Sequence, residues 1–381
     1  MKVVCAPDSF KGSMSAVRAA QAMLAGIRKV VPDAVVDLCP IADGGEGTLE
    51  AISAAVPGKL HTLRVAGPLG DALEATFASF ADDALVVVES ATAAGLNLIS
   101  DAARDPTRTT THGVGSLLLA ACATASERII VGVGGTCTND GGCGMAQAIG
   151  IRFYDVNGMQ IRTPLCGGSL RELSRIDAST RSPLPGKIDI VVASDVDNPL
   201  TGPRGAATVY GPQKGASPDQ VIALDDGLRH LAELLRRDLN VDIEDLPGSG
   251  AAGGLAGGLV AFAGARIASG IDTVLEAVDF DRRIAGADLC LTGEGCIDAQ
   301  SASGKAVMGV TRAALRHRVP TVALVGAAGP GAELCLESGL QDYLVIGEHL
   351  PTEVSMGQAD VLLAEAAGQT VLRHLQSPSA N

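Results

Sequence analysis

Short apolar runs in this chain alternate with stretches in which apolar residues recur every three or four positions. Val3 to Ala6 and Val35 to Ile41 read as buried strands. Between them Val17, Ala20, Leu24, Ile27 and Val31 step by three and four, which predicts an amphipathic helix ended by Pro32. Ser13 or Ser15 would cap its start. Strand, helix, strand, helix runs on to about Ala55. From Lys59 to Glu89 the pattern becomes extended and partly alternating, broken at Gly67-Pro68, Gly70-Asp71 and Asp82-Asp83, the pattern of an antiparallel meander. Alternating strands and helices resume with Gly113–Ala125, Ile129–Val133 and Met145–Ile149, followed by a strand over Ile188–Ala193 and a helix over Asp219–Leu239. In the last third Ala287–Leu291, Val319–Val325 and Tyr343–Ile346 read as short strands separated by helical stretches. Two α/β ends around an antiparallel middle predict one domain inserted into another.

Composition narrows the function classes. A chain of 381 residues can bury the cores of two domains. Its net charge of −14 leaves no basic stripe for a nucleic-acid backbone, so an anionic ligand would need locally made positive potential. Lysine occurs only seven times, and Lys11, Lys214 and Lys305 each lie in glycine-rich polar segments. The nine cysteines are an odd number with no C-x-x-C, and the six histidines show no ligand spacing. Reduced thiols in a cytoplasmic protein are therefore expected. Lys2 leads directly into a strand, so no signal peptide is expected. The uncharged stretch from Pro247 to Ala265 is too rich in glycine and alanine for a membrane span, and a packed loop and helix is expected there.

Candidate chemistry gathers where strands give way to helices. Pro7-Asp8-Ser9-Phe10-Lys11-Gly12-Ser13 and Ala42-Asp43-Gly44-Gly45-Glu46-Gly47-Thr48 each follow an apolar run and precede helical spacing. A helix start presents free backbone N–H groups, which suits an anion. Adding Asp8, Lys11, Asp43 and Glu46 gives an anion site that also has metal-binding carboxylates, a combination that fits phosphoryl transfer better than hydride transfer. Five more segments behave similarly: Val133–Gly142, Ser194–Leu200, Tyr210–Ala216, Gly248–Gly254, and Leu291–Gly295 with Ser301–Lys305. Each has a bland alternative. Gly248 to Gly253 matches G-x-G-x-x-G but no strand precedes it, and Gly304-Lys305 lacks a full Walker pattern. Asn139 and Asp140 serve equally well as turn formers.

These segments, in this order and over nearly the whole length, resemble the bacterial glycerate kinase family. The resemblance rests on Pro7–Ser13, Ala42–Thr48, Thr136–Gly142, Ser194–Leu200, Gly211–Ala216, Gly250–Leu255 and Leu291–Lys305. It implies a flavodoxin-like parallel-sheet α/β domain, residues 1–57 and 250–381, carrying an inserted mixed α/β domain, residues 58–249, with the active site in the cleft between them. It also implies ATP, Mg²⁺ and D-glycerate as ligands, with phosphate delivered to the 2-hydroxyl. The chain departs from the pattern at Cys296, where arginine is expected, and at Val307-Met308. Oligomeric state stays open, a homo-oligomer included.

On that resemblance Asp195 is expected to activate or orient the acceptor hydroxyl, with Asp8 as its substitute. Asp43, Glu46 and Glu294 are the magnesium candidates. Ser9, Lys11, Asn198, Arg204 and Lys214 would meet glycerate and the transferring phosphate, and Gly293, Glu294, Gly295, Ser303, Gly304 and Lys305 the nucleotide. Phosphorylation of the 3-hydroxyl is the nearer alternative. A nicotinamide-dependent oxidoreductase would want a glycine fingerprint after the first strand, where Pro-Asp-Ser-Phe-Lys stands instead.

Overall fold

The computed structural model describes residues 1–182, 188–302 and 304–376. Strand β1 (Lys2–Pro7) and strand β2 (Val35–Leu38) flank the helix Ala16–Val30, whose N-cap is Ser15. The meander follows as β3 (Gly58–Ala66), β4 (Ala72–Phe80) and β5 (Leu85–Glu89). Next come β6 (Arg128–Gly132), β7 (Arg152–Asp155), β8 (Leu173–Asp177), β9 (Asp189–Ala193) and β10 (Arg266–Ala268). Then come β11 (Leu289–Ile297), β12 (Thr321–Ala328) and β13 (Asp342–Val345). The chain divides into two units, Met1–Asp43 with Glu50–Pro57 and Ile271–Asn381, and Gly44–Leu49 with Gly58–Gly270.

The first unit is a five-stranded sheet in the order β13-β12-β11-β1-β2, with every neighbouring pair parallel. Strand alternation sends Val3, Cys5, Leu289, Leu291, Val322 and Leu324 to one face, against Met23 and Ile27 of the first helix and Leu363, Ala367 and Val371 of the helix Ala359–Gln376. Ala323 and Val325 go to the other face, against Val307 and Met308 of the helix Ala306–Arg316. Helices thus cover both faces, as a parallel sheet requires. From β1 the chain moves outward to β2, and it later returns on the other side as β11. The order reverses between β1 and β11, and a reversal of this kind opens a crevice at the strands' carboxyl ends.

The second unit has a six-stranded sheet in the order β10-β9-β6-β5-β4-β3, parallel from β10 to β5 and antiparallel from β5 to β3. A separate antiparallel pair joins β7 to β8. Its core is its own, built on residues such as Val88, Leu117, Val131, Val192, Leu228 and Leu231, with Phe153 edge-on to Phe262.

One local outcome differs from the pattern of apolar runs, and another from the domain bounds that the resemblance implies. β11 does not stop at Leu291 but runs through Gly293-Glu294-Gly295 to Ile297, because its ladder with β12 continues through Glu294↔Val325 and Cys296↔Ala327. A Cβ on Gly293 would overlap the Leu324 carbonyl, so glycine serves close packing there rather than a stop. The stretch from 250 to 270 packs with the second unit, since β10 completes that unit's sheet beside β9.

Candidate active site

β1 and β11 lie side by side, and each ends in acidic and polar residues. Asp8 follows Pro7, and its N–H donates to the Gly293 carbonyl at 2.8 Å. The Ser9 N–H donates to Asp8 Oδ1 at 2.6 Å. A tight turn through buried Phe10, with the Met14 N–H donating to the Phe10 carbonyl at 3.0 Å, then brings Lys11 to the same surface. On the neighbouring strand Glu294 Oε1 accepts the Ser301 hydroxyl at 2.6 Å. Asp298 Oδ1 accepts the N–H groups of Gln300 and Ser301 at 2.8 and 3.2 Å, which starts the short helical turn Ala299–Ala302. Lys305 precedes the helix Ala306–Arg316, and its Nζ donates to Gln300 Oε1 at 2.8 Å.

Most of these groups line one cavity of about 620 Å³, within the first unit throughout. Asp8, Ser9, Lys11, Asp43, Glu294, Asp298 and Lys305 give it most of its polar lining, and Ala327, Ala328, Val345, Ile346, Leu350 and Met356 an apolar one into which Glu348 intrudes. Burial pushes the Asp8 carboxyl up to about 7, with repulsion from Asp43 and Glu294 adding to it and Lys11 opposing. Burial likewise lifts Glu294 to about 7, against the Ser301 hydrogen bond and Lys305, with Asp298 and Asp43 raising it further. Carboxyls held near neutrality can both hold and release a proton at working pH.

Crowded acidic groups of this kind also suit a divalent cation, whose charge would offset their repulsion. Among the described residues no group of three or more His, Cys, Asp and Glu is arranged to hold a metal. Magnesium asks for less, since it is bound through one or two carboxylates and keeps several waters. Asp8, Asp43 and Glu294 therefore fit it.

The other expected site residues lie in the second unit. Asp195 Oδ1 accepts the Gly270 N–H at 2.8 Å. Asn198 donates to the Arg204 carbonyl and accepts the Tyr210 hydroxyl, both at 2.7 Å. Arg204 reaches both oxygens of Asp197, at 2.8 and 2.9 Å, and is well exposed. An exposed pair of this kind is held weakly, so an anion could compete for the guanidinium. Lys214 is different: only 3% exposed, it donates to the Thr138 carbonyl at 2.7 Å, and burial brings its ammonium down to about 8. Glu46 is exposed in the segment Gly44–Leu49, just before the helix Thr48–Ala55, and in a different unit from Asp43 and Glu294. Gly304 donates to the Ser301 carbonyl at 3.1 Å, and Ser303 lies outside the described residues.

Asp140 proves to be more than a turn former. Fully buried, it accepts the N–H and hydroxyl of Thr111 and the N–H groups of Gly142 and Gly144, tying together the starts of the helices His112–Thr124 and Cys143–Ala148. Glu89, which ends an apolar strand without glycine or a second charge to mark it, is a buried carboxylate that accepts the Thr48 N–H at 2.8 Å. Ser301 and Asp298 were legible as Asp-x-x-Ser, a helix-start spacing. The contribution of Val345 to Met356 had no chemical signal, being apolar or commonplace in sequence.

Comparison with known proteins agrees with this chemistry. A family model described as the glycerate kinase family matches residues 3–376. A glycerate kinase from Halalkalibacterium halodurans is 44% identical over 366 residues, 96% of each chain. A glycerate 2-kinase from Escherichia coli K12 is 44% identical over 327 residues, 86% of this chain and 85% of its own. A crystal structure from Salmonella typhimurium LT2, provisionally described as glycerate kinase 2, superposes with a TM-score of 0.85 at 39% identity over the whole of both chains.

Proposed function

The chain belongs to the glycerate kinase family, and from that premise we propose that it transfers the γ-phosphoryl group of ATP to the 2-hydroxyl of D-glycerate, giving 2-phosphoglycerate and ADP. The observation that carries the reading is the cavity at the ends of β1 and β11. It combines carboxyls raised to about 7, those of Asp8 and Glu294, with the cations of Lys11 and Lys305. Phosphoryl transfer needs little covalent help from a protein. It needs a metal bridging phosphate oxygens, cations on the transferring group and a carboxylate that orients the attacking hydroxyl.

Each of those parts has a candidate. Asp8 is put first for orienting the hydroxyl and accepting its proton, because a carboxyl near neutrality suits that transfer at working pH. Asp195 is kept as second candidate. Asp43 and Glu294 would hold magnesium, which when bound neutralises charge on the phosphates. Lys305, at the start of the helix Ala306–Arg316, would meet the nucleotide phosphates together with the helix's first N–H groups. Lys11, in the same unit as Asp8, is proposed for the glycerate carboxylate. Lys214, buried and committed to Thr138, supports its loop instead.

Support for the 2-hydroxyl comes from the Escherichia coli relative, which is named a glycerate 2-kinase. The two hydroxyls of glycerate differ little in acidity, so the choice is one of positioning, where misplacement by about 1 Å can cost a hundredfold. Coupling the product to enolase, with and without phosphoglycerate mutase, reads the outcome. Signal with enolase alone is expected; signal only when mutase is added would make the 3-hydroxyl the acceptor.

A further inference from the structure

The cavity in the first unit is chemically two-sided, and the strand order explains why. Most of its charged groups, Asp8, Lys11, Glu294, Asp298 and Lys305, stand at or beyond the ends of β1 and β11, whereas most of its apolar lining comes from the ends of β12 and β13 and from the segment after β13, where Glu348 is the one charged lining residue. β1 and β13 are three strand steps apart in the sheet, and at ~4.8 Å per step the two ends of the cavity are about 14 Å apart. That span matches the reach of a nucleoside triphosphate laid across the strand ends.

Glycerate gives such an apolar wall nothing to bind, because all three of its carbons carry oxygen. Of the two reactants only the nucleoside has flat apolar surface that gains by leaving water. Leu350 and Met356 are 39% and 41% exposed, large apolar side chains left open beside the cavity in a segment of ordinary polar composition. The segment is nonetheless anchored: the Ser13 hydroxyl donates to the Met356 carbonyl at 2.9 Å, and the Leu350 N–H donates to the Gly347 carbonyl at 2.8 Å. A wall fixed in this way to the turn that carries Lys11 is ready-made for a rigid ligand.

We propose that the nucleoside half of the phosphoryl donor binds against the ends of β12 and β13, with Val345, Leu350 and Met356 as its apolar contacts, and that the triphosphate runs from there across β11 to Asp8. This inference rests on the kinase reading above, and it adds the place and direction in which the donor lies.

Isothermal titration of Leu350→Asp with ADP and, separately, with inorganic tripolyphosphate, both in magnesium buffer, tests it. ADP affinity is expected to fall tenfold or more, with tripolyphosphate affinity and the KM for glycerate each within twofold of wild type. Unchanged ADP affinity, or an equal loss of both ligands, would overturn the assignment. Met356→Ser, a milder change at a second exposed position, is expected to weaken ADP several-fold while tripolyphosphate again holds. Failure of the kinase reading is distinguishable: wild-type protein would then release no ADP from ATP and glycerate, a result independent of how Leu350→Asp binds ADP.

Discussion

Asp8 and Glu294 sit near neutrality because each is partly buried beside other carboxylates, and that has a consequence for the stability of the ligand-free protein. A carboxyl whose pKa rises from 3.8 unfolded to about 7 folded keeps its proton longer in the folded state. Between about pH 4 and 7 the folded state therefore binds more protons than the unfolded one, and this contribution to stability is lost as pH rises through that window. Asp8→Asn is expected to flatten the slope of stability against pH there, measured by urea unfolding without nucleotide or metal; an unchanged slope would remove Asp8 as its source. The same variant is expected to lose a hundredfold or more in kcat, and Asp195→Asn much less. The reverse pattern would transfer the role to Asp195. Lys305→Ala is expected to weaken ATP by roughly ten- to a hundredfold, the range of a hydrogen bond to a charged group, with the KM for glycerate little changed. Lost glycerate affinity with ATP intact would mean that the two subsites are assigned the wrong way round.

Elements in the first unit are positioned by small residues as much as by large ones. The helices Ala16–Val30 and Ala359–Gln376 approach so closely that a Cβ on Gly26 would overlap the Ala364 carbonyl, and one on Gly368 would lie 2.9 Å from the Gly26 carbonyl. Backbone cannot move aside as a flexible side chain can. Gly26→Ala is therefore expected to cost at least the ~1–3 kcal/mol typical of overpacking, seen as a lower urea midpoint with an unchanged m-value. Ordinary stability in that variant would show that the two helices can part without penalty. The cap at Ser15 was one of two candidates in sequence. Its hydroxyl accepts the Arg18 N–H at 3.4 Å and donates to Glu50 at 3.0 Å, and the second contact, 35 residues away, is invisible to local pattern.

At the scale of the molecule, the proposed donor site lies wholly within one unit although its pieces are scattered over the chain. Hydrogen exchange with ADP and magnesium is expected to slow around 8–11, 293–302 and 345–356 together, with smaller changes in the sheet β10-β9-β6-β5-β4-β3. Protection centred on that second sheet instead would move the nucleotide to the other unit. Much of this organisation was legible beforehand. Apolar runs of four to seven residues marked β1, β6, β9 and β12, and three- and four-residue spacing marked the first helix, because burial of one face writes its period directly into sequence. Glycine with charged residues after such runs pointed to Asp8, Asp43, Glu294 and Lys305, since a plain turn has no need of those charges. Long-range pairing has no such period. β10, three residues long, is a strand only because β9 lies beside it. The course of β11 through two glycines depends on β12, and the raised carboxyls depend on strand ends nearly 290 residues apart meeting at Asp8 and Glu294. The sequence by itself determined which residues could do the chemistry; the tertiary structure decided which of them share a cavity, because proximity and burial arise only when distant strands are laid side by side.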